Sequence, residues 1–201
     1  VDTKIFCKYP RLSLLNLIEQ FWVDPNKTLS QNSTCSIHRT VKIGKNVLIG
    51  DYSVIGENVK IGNNCIIGSN TVVEHCIIGN NCKIGNNVSI GGEGFGFEDI
   101  SETNEIKTFP HIGIVKIGNN VRVGSSTCID RASIGSTTIS NNVKIDNLVH
   151  ISHNVFIGQN SKIVAMTIIG GSTSIGQNTW VAPGSAIRDW VKVGNDVLVG
   201  L

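Results

Sequence analysis

The sequence predicts an all-β chain, a left-handed parallel β-helix of hexapeptide repeats, and three observations carry that prediction. Ile or Val recurs every six residues at 37, 43, 49, 55, 61, 67 and 73. After a one-residue shift to Ile78, Ile84 and Ile90 and a break, the period resumes at Ile117, Val123 and Ile129. From Ile139 to Val199 it holds through eleven aliphatics without a slip. Such a period is neither the roughly 3.6 residues of a helical turn nor the alternation of a hairpin strand. The second observation is that Gly usually follows each aliphatic. The third is that Asn often stands three residues after it, at 46, 58, 64, 70, 81, 87, 120, 142, 160 and 178.

Each element follows from that pattern. Three flat faces of six residues make a coil of eighteen, so every sixth side chain points inward and successive coils pair as parallel strands about 4.8 Å apart. Twenty-four aliphatics at three per coil give eight coils. Gly and Asn enter the left-handed backbone region at low cost, which sharp corners between faces need. Residues 10 to 22 are expected to form a short amphipathic helix that starts at Pro10 and stops before Pro25. Residues 1–30 are read as an N-terminal helical segment and 31–201 as the β-helix. An extrusion loop spans 91–116, opening with Gly-Gly-Glu-Gly-Phe-Gly-Phe, and a shorter insertion lies around Ala132 to Thr138. A long loop inside a compact repeat is more often functional than accidental.

Composition narrows the functional classes. The 201 residues suffice for one domain with a self-sufficient core. With 17 basic and 15 acidic residues the net charge is +2, and no Lys/Arg run marks a nucleic-acid track. No stretch reaches the roughly 20 apolar residues of a membrane span, and no signal pattern opens the chain. The expectation is a cytoplasmic protein with neither nucleic acid nor membrane as partner. Among the six cysteines, Cys65, Cys76 and Cys82 each precede an Ile by two, a small core slot, and their spacing matches no zinc pattern.

His is the side chain best suited to general-base work near neutral pH. His38, His75 and His111 are isolated in the sequence and read as structural. His150 and His153 lie together in Asp-Asn-Leu-Val-His-Ile-Ser-His-Asn, residues 146–154. With Ile151 pointing inward, His153 falls near a corner facing out. Eighteen residues on is Gly171, one coil above, whose unhindered N–H is placed to hold an oxyanion while the base takes a proton. Eighteen further is Asp189. Two imidazoles are too few for a zinc site, so no metal is expected. The competing reading makes His153 a surface corner and Gly171 a turn glycine on an inert β-helix scaffold.

These residues resemble the UDP-3-O-acylglucosamine N-acyltransferases of lipid A biosynthesis. The resemblance rests on Gly94-Phe95-Gly96-Phe97 in the loop, Cys128-Ile129-Asp130-Arg131 after it, Asp146-Asn147 leading to His153-Asn154, and Gly170-Gly171-Ser172. It implies a homotrimer with the site between subunits and no tightly bound cofactor. The donor is an acyl thioester on acyl carrier protein, and the acceptor is the 2-amine of a UDP-linked glucosamine. His153 becomes the general base and the Gly171 N–H the oxyanion donor. Asp146, Asn147, His150, Asn154, Phe95, Phe97 and Trp190 are implied to line the substrate site, Trp190 standing where the family carries a second His. The family's uridine-binding domain precedes the coil, and this sequence opens where such a domain ends. A sugar-nucleotide N- or O-acetyltransferase using acetyl-CoA is the alternative enzyme reading.

Overall fold

The computed structural model of the chain describes residues 7–21 and 34–200. They fall into two units, divided between residues 30 and 31. In the first, the helix runs Pro10–Phe21. Proline at the first helical position surrenders an N–H that would have had no partner. Leu12, Leu14, Leu15 and Ile18 are exposed along it. Trp22 and the stop at Pro25 lie outside the described residues.

The second unit is a left-handed parallel β-helix. Three parallel sheets of eight strands each form its faces, and every strand holds one of the period-six aliphatics. Registers are exact stacks: Lys144–Ile145 pairs with Lys162–Ile163, which pairs with Trp180–Val181. Ile55, Ile67, Ile90, Ile129, Ile151, Ile163 and Ile175 are among the fully buried side chains that form the inner columns. Burial of each such side chain contributes about 1.5–3 kcal/mol.

Corners divide their labour between Asn and Gly differently from the expectation. All ten repeat asparagines sit at φ between 55° and 62°, whereas among the described glycines positive φ is confined to Gly91, Gly135 and Gly184, of which only Gly91 follows a period-six aliphatic. Those other glycines answer a steric need. A Cβ on Gly158 would stand 2.5 Å from the Gln177 N and 2.6 Å from the Gly176 carbonyl carbon of the next coil.

The small slot two residues before each aliphatic also has a polar use. Ser53 and Ser161 donate their hydroxyls to the carbonyls of Gly68 and Gly176, at 2.7 and 2.8 Å. Cys65 and Cys82 make the corresponding thiol contacts to Gly79 O and Gly118 O, both at 3.1 Å. The slot therefore takes either Val or a small side chain that can donate across the coil.

The break after Ile90 is structured. Strand Ser89–Gly92 bulges between Ile90 and Gly92, and the loop then forms an antiparallel hairpin of Phe97–Ile100 with Glu105–Thr108. The coil resumes at strand Ile114–Ile117, so the loop closes before the expected residue 116. The insertion binds the loop's return, since Ile112, Gly113 and Ile114 donate to Ser133, Ala132 and Gly135 carbonyls at 2.9 to 3.0 Å. Loop and insertion thus meet on one side of the coil.

Candidate active site

Strand His150–Ile151 lies in the first sheet between Cys128–Asp130 and Ile168–Ile169. Ile151 enters the core, and the chain turns the corner through His153 to Asn154, whose φ is 61°. The eighteen-residue count holds: Ser172 N–H donates to His153 O and Trp190 N–H to Gly171 O, both at 2.9 Å. A Cβ on Gly171 would lie 2.8 Å from both Cε1 and Nε2 of His153. The imidazole occupies the space that glycine leaves.

The Gly171 N–H is not the open donor that spacing suggests. It donates to Asp189 Oδ1 at 2.6 Å. Counting by eighteen found Asp189 above the glycine, but backbone periodicity does not reveal that its carboxylate folds back onto that nitrogen.

Asn154 sets the imidazole's tautomer. Its Nδ2 donates to Ile134 O at 2.9 Å, while its Oδ1 accepts from Ser133 N and Oγ at 3.0 and 2.8 Å. With the amide oriented this way, His153 Nδ1, 3.1 Å from Oδ1, is the donor. The proton is held on Nδ1 and the lone pair left on Nε2, the nitrogen beside Gly171. Ser133 and Ile134 belong to the insertion, which therefore orients the His153 ring through Asn154.

Three imidazoles gather around Asp130. Its Oδ2 is 3.7 Å from His150 Nε2. Burial raises the Asp130 carboxyl above its ordinary range, opposed by the charges of His150, His153 and His111. His111, isolated in the sequence, is buried and packs edge-to-face on His153 with ring centroids 5.2 Å apart. The loop's return thus brings beside His153 an imidazole that stands alone in the sequence. Ser152 Oγ reaches His150 at 3.2 Å, but through the same Nε2 that faces Asp130, so the trio is no Ser-His-Asp relay. Among the described residues, no three His, Cys, Asp or Glu side chains are arranged to hold a metal ion.

The loop covers this cluster with glycine. A Cβ on Gly94 would stand 2.9 Å from His111 Nε2 and 3.2 Å from His153 Cβ and Cδ2. Phe95 and Phe97 pack edge-to-face at 4.8 Å on the loop, Phe95 being 87% exposed. Arg131 Nη2 pairs with Glu93 Oε1 at 2.6 Å, fastening the loop's first turn.

The remaining expected residues lie apart within one chain. Asp146 and Asn147 precede strand His150–Ile151 and so occupy its other end from His153. Asp146 Oδ1 accepts the Asn147 N–H, and Asn147 Oδ1 the Ser125 N–H, at 2.8 and 2.7 Å. They border a concavity of about 310 Å³ with Arg122, Lys144, Lys162 and Trp180. Trp190 stands two coils above Asn154, 79% exposed, at φ 61°. A groove of about 670 Å³ on the second sheet, lined by Lys116, Thr138, Phe156 and Gln159 among others, contains none of the imidazoles.

Sequence reasoning did not place His111 or Asp130 beside His150 and His153. Adding the insertion's four extra residues to the coil period places Asp130 under Ser152, a usable signal. Nothing comparable exists for His111, which reaches the site only through the fold of the loop.

Comparison with known proteins agrees with this architecture. Residues 40–75 match the family model described as bacterial transferase hexapeptide (six repeats). The chain is 44% identical over 87 residues to the UDP-3-O-acylglucosamine N-acyltransferase of Helicobacter pylori, covering 43% of this chain and 26% of that protein. It is 52% identical over 84 residues to the enzyme of that name from Rickettsia rickettsii, covering 42% and 24%. The match spans about a quarter of the length of these curated relatives. Among solved structures, the Arabidopsis UDP-N-acetylglucosamine acyltransferase superposes with a TM-score of 0.62 at 24% identity, covering 83% of this chain and 64% of that one. The Bacteroides fragilis UDP-N-acetylglucosamine acyltransferase gives 0.59 at 23%, covering 85% and 71%. Both likenesses concern the fold.

Proposed function

We propose that this chain is an acyltransferase that moves a 3-hydroxyacyl group from acyl carrier protein to the 2-amine of a UDP-linked glucosamine, with His153 as general base. The observation that carries the reading is the imidazole itself: its Nδ1 proton is held by Asn154 Oδ1, and its Nε2 lone pair is exposed to the corner above Gly171. The activities for which the partial relatives are named supply the substrate class.

The chemistry follows from that tautomer. The amine nitrogen attacks the thioester carbonyl carbon and must lose a proton as the tetrahedral intermediate forms; Nε2 accepts it. Collapse breaks the C–S bond, and the proton returns from the imidazolium to the departing thiolate. Asp130 faces the imidazoles and favours the charged form during the interval. The Gly171 N–H serves the oxyanion only by exchanging its Asp189 carboxylate partner for the new charge, a requirement that follows from the bond it already makes.

Partners belong to the same proposal. His153 and Asp146-Asn147 lie at opposite ends of one face, so a homotrimer, in which a corner of one copy meets the next, would bring both sets to a shared groove. Among the described residues no helix is long and apolar enough to cross a membrane, and the proposed setting is the cytoplasm. The test offers the protein a UDP-amino sugar with 3-hydroxyacyl thioesters of acyl carrier protein, or with acetyl-CoA. N-acylation from the carrier thioester is the expected result. Transfer from acetyl-CoA alone would overturn the donor assignment.

A further inference from the structure

Two buried side-chain polar atoms among the described residues lack a hydrogen-bond partner, His111 Nε2 and Arg131 Nε, and both adjoin the first turn of the loop. An orphaned buried acceptor costs about 1–3 kcal/mol. A ring of phenylalanine's shape would fill the same space without that cost. The His111 nitrogen is also chemically preset: Nδ1 lies 3.0 Å from Phe109 O, and since a carbonyl only accepts, the neutral ring carries its proton on Nδ1. Nε2 is thus a lone pair with no donor, 3% exposed as a residue, beside the proposed base. Two glycines cover it without side chains: a Cβ on Gly94 would stand 2.9 Å from Nε2, and one on Gly96 would stand 2.9 Å from Cε1.

We infer that His111 is an acceptor-binding residue, its Nε2 taking a hydrogen bond from an N–H of the sugar's 2-amine once the Gly94 segment shifts. The inference rests on the acyl-transfer reading but makes a separate demand on the site. The 2-amine carries N–H donors, whereas the sugar carbons on either side of it bear the UDP and acyl oxygens and offer none; measuring the sugar alone keeps the 3-hydroxyl of the acyl donor out of the test. Asp130, His150 and His153 face the same space, and Arg131 is committed through Nη2 to Glu93.

The experiment compares His111→Phe with His111→Gln, using UDP-3-O-acyl-glucosamine as the probe. Phenylalanine keeps the ring and removes the acceptor; glutamine keeps a donor for Phe109 O and an acceptor at its end. The expected result is that His111→Phe melts no lower than wild type yet binds the sugar about tenfold or more weakly, while His111→Gln binds within about threefold. In wild-type protein the ¹⁵N resonance of His111 Nε2 should move on saturation with the sugar. That readout needs no turnover and survives if the Phe variant misfolds. Unchanged sugar affinity in folded His111→Phe, or a stationary Nε2 resonance, would overturn the inference. Neither outcome touches the role of His153, which is read from the transfer rate of its own variant.

Discussion

At the scale of single residues, the site depends on space as much as on charge. His153 lies where Gly171 has no side chain, and the Cβ of Gly171→Ala would meet the ring at 2.8 Å. The ring, half-buried beneath Gly94 and bonded to Asn154, must shift to admit that methyl, and Nε2 moves with it. Transfer should fall about a hundredfold with the melting temperature within a few degrees, as steady-state assays and thermal melts would report. Asp130 gives a pH signature. Its folded-state pKa is raised, chiefly by burial, so its contribution to stability is fully present below about pH 4 and lost as pH rises through the folded value. Asp130→Asn removes that loss. The variant should gain on wild type in melts taken from about pH 4 to pH 7, while transfer falls because the imidazolium has lost its carboxylate. A variant that loses ground over that range would show that the imidazoles outweigh burial.

At the scale of elements, the coil and its interruptions obey different rules. The coil was legible because each inward Ile repeats one local environment, and its chemistry recurs at every sixth position. Ile163 is 1% exposed between Ile145 and Val181, so Ile163→Ala should cost about 2–5 kcal/mol in chemical denaturation. The corner asparagines were equally legible, all at positive φ. Glycine was misread as a corner residue because composition does not separate a backbone that must turn from one that must pass close to its neighbour. The hairpin inside the loop and the packing of His111 on His153 escaped prediction for a related reason. Both depend on contacts specific to one place in the chain, where no repeat supplies a second example. The insertion was visible only as a slip in phase, yet through Ser133 and Ile134 it orients Asn154 and hence the base.

At the scale of the whole molecule, a solenoid provides flat faces and repeated corners, and chemistry enters where repetition fails. The loop, the insertion and the corner at His153 coincide on one side of the coil, while Asp146 and Asn147 stand at the far end of the same strand. A trimer satisfies both placements, and sedimentation equilibrium should return three times the chain mass of 21.6 kDa. A monomer would leave the proposed groove without its second wall. The most direct measurement is the single-turnover rate of acyl transfer to a UDP-linked glucosamine by His153→Ala beside wild type. Because the ring is half-buried and lies outside the Ile columns, the account predicts a melting temperature within a few degrees of wild type with a rate lower by about a hundredfold or more. A folded His153→Ala protein that transfers at the wild-type rate would contradict it.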